Sequence, residues 1–204
     1  MRRLLPLCPP EFSTAGAAGC KQHSLTGNEI TLRAIKSTQT MPQKRAKQPA
    51  GDYTLRRATN ANLPAVWTLI SCVLRSYGIT ANPQTTDKDL ADIEANYWNR
   101  KGAFFVLLDG REVIGTVALQ HDTDAVCELC RMYLAPQYRG QGLGRRMLER
   151  AVREARKRGF KEMHLKTASV LVEVISLYKR AGFSTVLGAE AGGNCDLVMS
   201  RSLQ

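Results

Sequence analysis

The stretch Arg139-Gly140-Gln141-Gly142-Leu143-Gly144 decides how this chain is read. It lies between a strand-like run closed by Pro136 and a long amphipathic helix. Three glycines at alternate positions strip side chains from one edge of the turn. Backbone N–H groups at the helix start can then close around a phosphate, and the helix N-terminus adds about half a positive charge. The glycine register says which kind of phosphate. A P-loop requires G-K-[ST] at its end, and no such lysine and hydroxyl follow here. A dinucleotide fingerprint counted from Gly140 puts Arg145 where its third glycine belongs. The pattern [QR]-x-x-G-x-[GA] is met by Arg139, Gly142 and Gly144.

Working outward, Leu143, Met147, Leu148, Ala151, Val152 and Ala155 recur at helical spacing on one face, with arginines and glutamates opposite and Gly159 as the stop. Upstream, Val126–Leu134 reads as a strand. Ala103–Leu108 and Val113–Leu119 read as strands joined by Asp109-Gly110, a hairpin signal. Tyr53–Thr59 alternates like a strand. Asn60 or Asn62 is expected to cap a helix through Leu63, Val66, Leu69, Ile70, Val73 and Leu74. A second helix is expected over Asp87–Trp98. Downstream come a strand at Met163–Thr167, a helix at Val170–Ala181 closed by Gly182, and strands at Phe183–Leu187 and Cys195–Ser200. This order predicts a mixed α/β sheet with helices on both faces.

The chain has 204 residues and a net charge of +11. Residues 1–50 hold eight Lys/Arg against Glu11 and Glu29, so more than half of the basic excess lies there. They lack periodicity and read as a flexible basic extension over 1–51, followed by one folded domain over 52–204. Met1-Arg2-Arg3-Leu4-Leu5 has a faint targeting character, but disorder or a true start at Met41 reads better. No apolar run reaches the roughly 20 residues of a membrane helix, so a soluble protein is expected, and the scattered cysteines, read as reduced thiols, fit a reducing, cytoplasmic compartment. Cys127 and Cys130 form a C-x-x-C. In a strand, positions three apart face opposite ways, so buried reduced thiols are expected there rather than a metal site.

The run Glu128–Gly144, together with Leu177-Tyr178-Lys179-Arg180-Ala181-Gly182-Phe183, resembles the GNAT superfamily of acetyl-CoA-dependent N-acetyltransferases, in its central segment and its L-Y-x-x-x-G-F signature. The resemblance extends over roughly residues 53–203. It implies an α+β fold with a mixed, mostly antiparallel sheet of six to seven strands. It also implies acetyl-CoA as acyl donor. The amides of Gly140, Gln141, Gly142, Leu143, Gly144 and Arg145 would bind its diphosphate, with Arg139 opening the motif. Met132, Tyr133 and Leu134 would offer a free strand edge to the pantetheine arm. Leu171 stands where many members carry an asparagine that contacts that arm.

By the same resemblance, Glu128 occupies the position of a general base and Tyr178 that of a general acid. Glu128 sits among Val126, Cys127, Leu129 and Cys130, so partial desolvation with a raised pKa is expected. The bland reading pairs it with Arg131 or a helix arginine, or leaves it as an anchor for a substrate amine. For Tyr178 the bland reading is a core tyrosine. His121 and His164 are further candidate bases, His121 at a strand end and His164 facing solvent or a helix. Cys130 shares a strand face with Glu128 unless a bulge separates them. The expected activity is acetyl transfer to an amine of a small molecule or peptide in a ternary complex. A catalytically silent acyl-CoA sensor is the alternative. A homodimer is compatible with the sequence, whereas a nucleic-acid partner is disfavoured because no reading motif accompanies the basic residues.

Overall fold

The computed structural model describes residues 52–192 and 195–204. The expectations for residues 1–51, an extension, a targeting segment or a later start, lie outside the described residues. Among the described residues seven strands form one sheet: β1 (Tyr53–Arg57), β2 (Ala103–Asp109), β3 (Glu112–His121), β4 (Val126–Leu134), β5 (Glu162–Thr167), β6 (Ser184–Thr185) and β7 (Leu197–Ser202). Their order is β1-β2-β3-β4-β5-β7-β6, and only the β4–β5 pair is parallel. This is the mixed, mostly antiparallel sheet expected from the sequence.

Both faces of the sheet are covered, and β2 shows why its sequence is a continuous apolar run. Ala103, Phe105 and Leu107 face the core beneath helices α3 (Leu143–Lys157) and α4 (Val172–Arg180). Phe104, Val106 and Leu108 face the core beneath α1 (Leu63–Arg75) and the short α2 (Ile93–Asn96). Strand alternation thus feeds two cores from one segment. Cys127 and Cys130 divide in the same way, Cys127 buried in the first core and Cys130 packed against the second.

Three expectations are corrected. Asp87–Trp98 is not one helix but a 3-10 turn at Lys88–Ala91, the four-residue α2 and a second 3-10 turn at Trp98–Arg100. The break follows from Asp92, which stays extended and accepts from the Ala95 N–H, capping a new helix start. Asn62 stands at the N-cap of α1 but makes no side-chain cap bond, and Asn60 lies outside the cap. Asn62 accepts from the Thr59 N–H and from Arg56, while Asn60 bonds Asp92 and Glu94. The strand expected over Phe183–Leu187 shrinks to Ser184–Thr185, because Phe183 turns into the core against Tyr178.

Candidate active site

Strand β4 pairs with β3 from Cys127 to Leu134 around one interruption, but with β5 only from Val126↔Glu162 to Leu129↔Leu165. From Cys130 onward β5 bonds only β7, so among the described residues the edge of β4 over Cys130–Leu134 has no strand partner. The divergence begins at a bulge. The β3–β4 register slips between Thr116↔Tyr133 and Ala118↔Cys130, and within the slip Arg131 adopts φ 49°. Left-handed backbone costs a non-glycine residue roughly 1–2 kcal/mol, so something must hold it.

That something is ionic. The Arg131 guanidinium pairs with Asp87 and Asp89, its Nε donating to Asp89 at 3.0 Å, and with the Thr86 carbonyl at 2.8 Å. Tyr97, fully buried, donates its hydroxyl to Asp89. On the strand itself, the Thr116 hydroxyl donates to the Arg131 carbonyl at 2.8 Å. Arg131 is therefore taken by these carboxylates and does not pair with Glu128. The bulge also falls after Cys130, not between it and Glu128, so those two side chains keep one face. Burial pushes the Cys130 thiol well above its ordinary range.

Beyond β4, Pro136–Tyr138 form a 3-10 turn and the chain enters the glycine stretch. Gly140 and Gly142 have φ 76° and 80°, and a Cβ on either would meet nothing within 4 Å. Gly142 caps α3 without any side-chain bond. Arg146 N–H donates back to the Gly142 carbonyl at 3.0 Å. No N–H from Gly140 to Arg145 finds an acceptor among the described residues. Unpaired amides at the positive end of a 15-residue helix, with open space around Gly140 and Gly142, fit a diphosphate.

The cradle is pinned by side chains the sequence reading passed over. Tyr53 donates to Gln141 at 3.2 Å, Gln141 donates to the Gln137 carbonyl, and Tyr138 donates to Asp109 at 2.9 Å. Hydroxyls and amides at exposed turn positions leave no periodic signal. Arg139 turns away from the cradle, its Nε donating to the Leu134 carbonyl at 3.3 Å and its Nη1 to the Tyr77 hydroxyl at 3.2 Å. Arg145 pairs with Glu149 at 2.7 Å on the exposed face of α3.

Tyr178 is buried at the C-terminal half of α4, where Gly182 (φ 85°) lets the Phe183 N–H bond the Tyr178 carbonyl. Its hydroxyl points at Met132 Sδ, 3.7 Å away, a side chain on the stretch of β4 that has left β5. Desolvation raises the phenol above its ordinary range.

Glu128 lies further back on β4, opposite His164 in the parallel register. His164 Nε2 is 3.4 Å from its carboxylate and Lys166 Nζ 3.2 Å. The expectation of a raised pKa is overturned. The hydrogen bond from His164 outweighs desolvation, Lys166 adds to it, and the carboxyl is held below its ordinary value. His164 faces this carboxylate, not solvent or a helix. His121 packs on Phe160, with Asp124 3.6 Å away. Leu171 ends the loop before α4, so no side-chain amide stands at that point.

A strand opening at a bulge, an anion cradle at a helix start and a tyrosine between them are one assembly. The sequence pattern of the Acetyltransferase (GNAT) family matches residues 72–183, more than half of the chain. The chain belongs to the GNAT family of acetyltransferases. It is similar to the uncharacterised N-acetyltransferase YjgM of Escherichia coli, 33% identical over 157 residues that cover 73% of this chain and 94% of that protein. A GNAT acetyltransferase of Staphylococcus aureus shares its fold with a TM-score of 0.69 at 17% identity, over 74% of this chain and 99% of that one. The YncA acetyltransferase of Salmonella typhimurium, solved with acetyl-CoA, has a TM-score of 0.61 at 25% identity, over 75% and 95% of the two chains. Membership makes this chain a GNAT-type N-acetyltransferase, a family whose acyl donor is acetyl-CoA. Among its described residues no helix is long and apolar enough to cross a membrane.

Proposed function

We propose that this GNAT enzyme moves an acetyl group from acetyl-CoA to a primary amine of a small molecule or peptide, by direct attack in a ternary complex. One observation carries the reading: the edge of β4, without a strand partner among the described residues, leads into the amides of Gly140–Arg145, which find no acceptor among them either. Such an edge suits an extended pantetheine arm, and such amides suit a diphosphate. A backbone N–H from the Met132, Tyr133 and Leu134 stretch would polarise the thioester carbonyl. A contact of this kind is worth about 3–4 kcal/mol in other enzymes.

The side chains divide the remaining work. Glu128 is held ionised by its neighbours and suits an incoming ammonium, which must lose a proton before it can attack. Tyr178 keeps its proton because it is buried, and its hydroxyl is turned toward the strand edge where a leaving thiolate would need one. The thiols of Cys130 and Cys195 are both pushed up by burial. Protonated thiols are poor nucleophiles, which favours direct attack over an acyl-cysteine intermediate.

The test is release of coenzyme A thiol from acetyl-CoA over a set of amino acids, polyamines and short peptides, for the natural chain and for Glu128→Gln. Amine-dependent release that falls at least about a hundredfold in the variant is expected. Tight acetyl-CoA binding without any amine-dependent release would mark an acyl-CoA sensor instead.

A further inference from the structure

Behind the glycine stretch, a cavity of about 730 Å³ runs along α3 and α4. Leu148, Val152 and Leu177 give it an apolar floor, and its walls carry five arginines but a single glutamate. That glutamate, Glu149, is already paired with Arg145 in the first half of α3. The other four, Arg153, Arg156, Arg180 and Arg201, have no carboxylate within ion-pair distance among the described residues. Arg156 Nε donates to the Leu203 carbonyl at 2.9 Å, Arg201 Nη1 to the Ala181 carbonyl and Arg180 Nη1 to the Ser176 hydroxyl at 2.7 Å. These bonds hold three guanidiniums in place and neutralise none of them. Burial, and after it the charge of Arg156, pulls the Arg201 guanidinium below its ordinary range.

Arginines in a last helical turn balance the macrodipole, and Arg156 and Arg180 stand in the last turns of α3 and α4. That role accounts for about half a charge per helix, so most of four positive charges on one cavity stays uncompensated. It does not extend to Arg153, which lies further inside α3, or to Arg201, which lies on β7. The cluster is also set apart from the diphosphate cradle. At a rise of about 1.5 Å per residue, Arg153 and Arg156 lie about 16 and 21 Å beyond Gly142 along α3. The cavity falls within the roughly 300–1,000 Å³ of small-molecule sites. Guanidinium forks pair bidentately with phosphate oxygens, and four like charges on one wall favour a ligand of high charge density.

We propose that the far end of this groove is a second anion site, which takes a compact free polyphosphate while coenzyme A occupies the cradle. Arg153 and Arg180 reach it from the two helices, and Arg156 and Arg201 close its end. The last two are already anchored at backbone carbonyls, so they are ordered before the ligand arrives. A bound polyanion would relieve the repulsion between them.

Calorimetry of the full chain saturated with coenzyme A tests this, with metal-free inorganic tripolyphosphate and ATP as probes. Both should bind at one site, and more weakly as salt rises. The variant to use is Arg153→Gln with Arg180→Gln, because neither side chain holds a backbone carbonyl. It should weaken polyphosphate binding about tenfold or more and leave coenzyme A affinity unchanged. Tighter binding of ATP would assign the apolar floor to a nucleoside, and equal binding would assign the whole site to phosphates. Failure of both probes to bind beside coenzyme A overturns the proposal, as does binding that the double variant does not weaken. Joint loss of coenzyme A and polyphosphate affinity also overturns it, because the groove would then receive the donor's own phosphates. Hexaglutamate binding as tightly as tripolyphosphate overturns it too, marking the groove as a dock for an acidic peptide.

Discussion

Arg131 holds Asp89 across the bulge of β4, its Nε donating to the carboxylate at 3.0 Å from a backbone at φ 49°. The side chain that stabilises the strained turn is the side chain of the strained residue. The carboxylates it needs come from the segment before α2, so one ion cluster fixes both the opening of the sheet and the 3-10 turn beside it. Asp87 is 3% exposed and Asp89 is also bonded by the buried Tyr97, so neither carboxylate can turn to water easily.

Arg131→Met should therefore destabilise the domain by about 3–5 kcal/mol, because it leaves two enclosed carboxylates without their cation. Thermal melting reads this as a fall of roughly 6 °C or more. Arg131→Lys keeps the charge but not the planar fork, and should recover less than half of the loss. A Met variant that melts with the natural chain would show that the cluster contributes nothing net.

The two glycines at the α3 start should respond differently. At Gly142 a side chain must take φ 80°, a backbone conformation that L residues rarely adopt, so a β-branched residue there should distort the turn that presents the free amides. Gly142→Val is expected to weaken coenzyme A binding about a hundredfold by calorimetry, near 2.7 kcal/mol. Gly144 has no positive φ, and a Cβ there would stand 3.4 Å from Leu177 Cδ2, an ordinary contact. Gly144→Ala should bind normally. Equal affinity for both variants would mean that the cradle does not receive the diphosphate.

The outline of the fold was legible because it is written in apolar periodicity, and Val126–Leu134 matches the observed β4 to the residue. The glycine stretch was legible for a similar reason: few other arrangements need small residues at that spacing. Charge geometry was not. Glu128 has apolar sequence neighbours, and local reading made it desolvated with a raised pKa. Its partners, His164 and Lys166, are 36 and 38 positions away and meet it only through the parallel β4–β5 register. Arg131 was a candidate partner for Glu128 by proximity in sequence, yet its carboxylates lie more than 40 positions upstream. Capping failed for the same reason. Asn60 has the right type for a cap but is engaged by Asp92 and Glu94, and Asn62, which does stand at the N-cap of α1, has its carboxamide oxygen taken by Thr59 and Arg56.

Tyr178→Phe separates catalysis from structure. The hydroxyl has one partner among the described residues, the Met132 sulfur at 3.7 Å, a weak acceptor worth little to stability. Melting temperature and acetyl-CoA KM should hardly change, while kcat should fall about a hundredfold if the hydroxyl protonates the leaving thiolate. Its pH behaviour carries a sign. Desolvation raises the phenol above 10.0, so the acid form persists through neutral and mildly alkaline assays. Tyr178 then contributes no falling limb to the kcat profile up to about pH 9. A falling limb near pH 8 that disappears in Tyr178→Phe would contradict that assignment.

Glu128 makes an acid-side prediction about the folded protein itself. His164, then Lys166, holds its folded-state pKa below the ordinary 4.5. A group with a depressed folded pKa stabilises the fold above its unfolded pKa, and that contribution is lost as pH falls through the folded value. At pH 6 Glu128→Gln should melt below the natural chain, because the substitution leaves Lys166 without its carboxylate. As pH falls below 4.5 the natural chain protonates Glu128 and loses the same contribution, so the two melting curves should converge. A gap that stays constant down to pH 3 would assign the loss in Glu128→Gln to packing and not to charge. Lys166→Met offers the complementary check. It removes the Lys166 charge that helps depress the pKa, so its own gap to the natural chain should also close on the acid side.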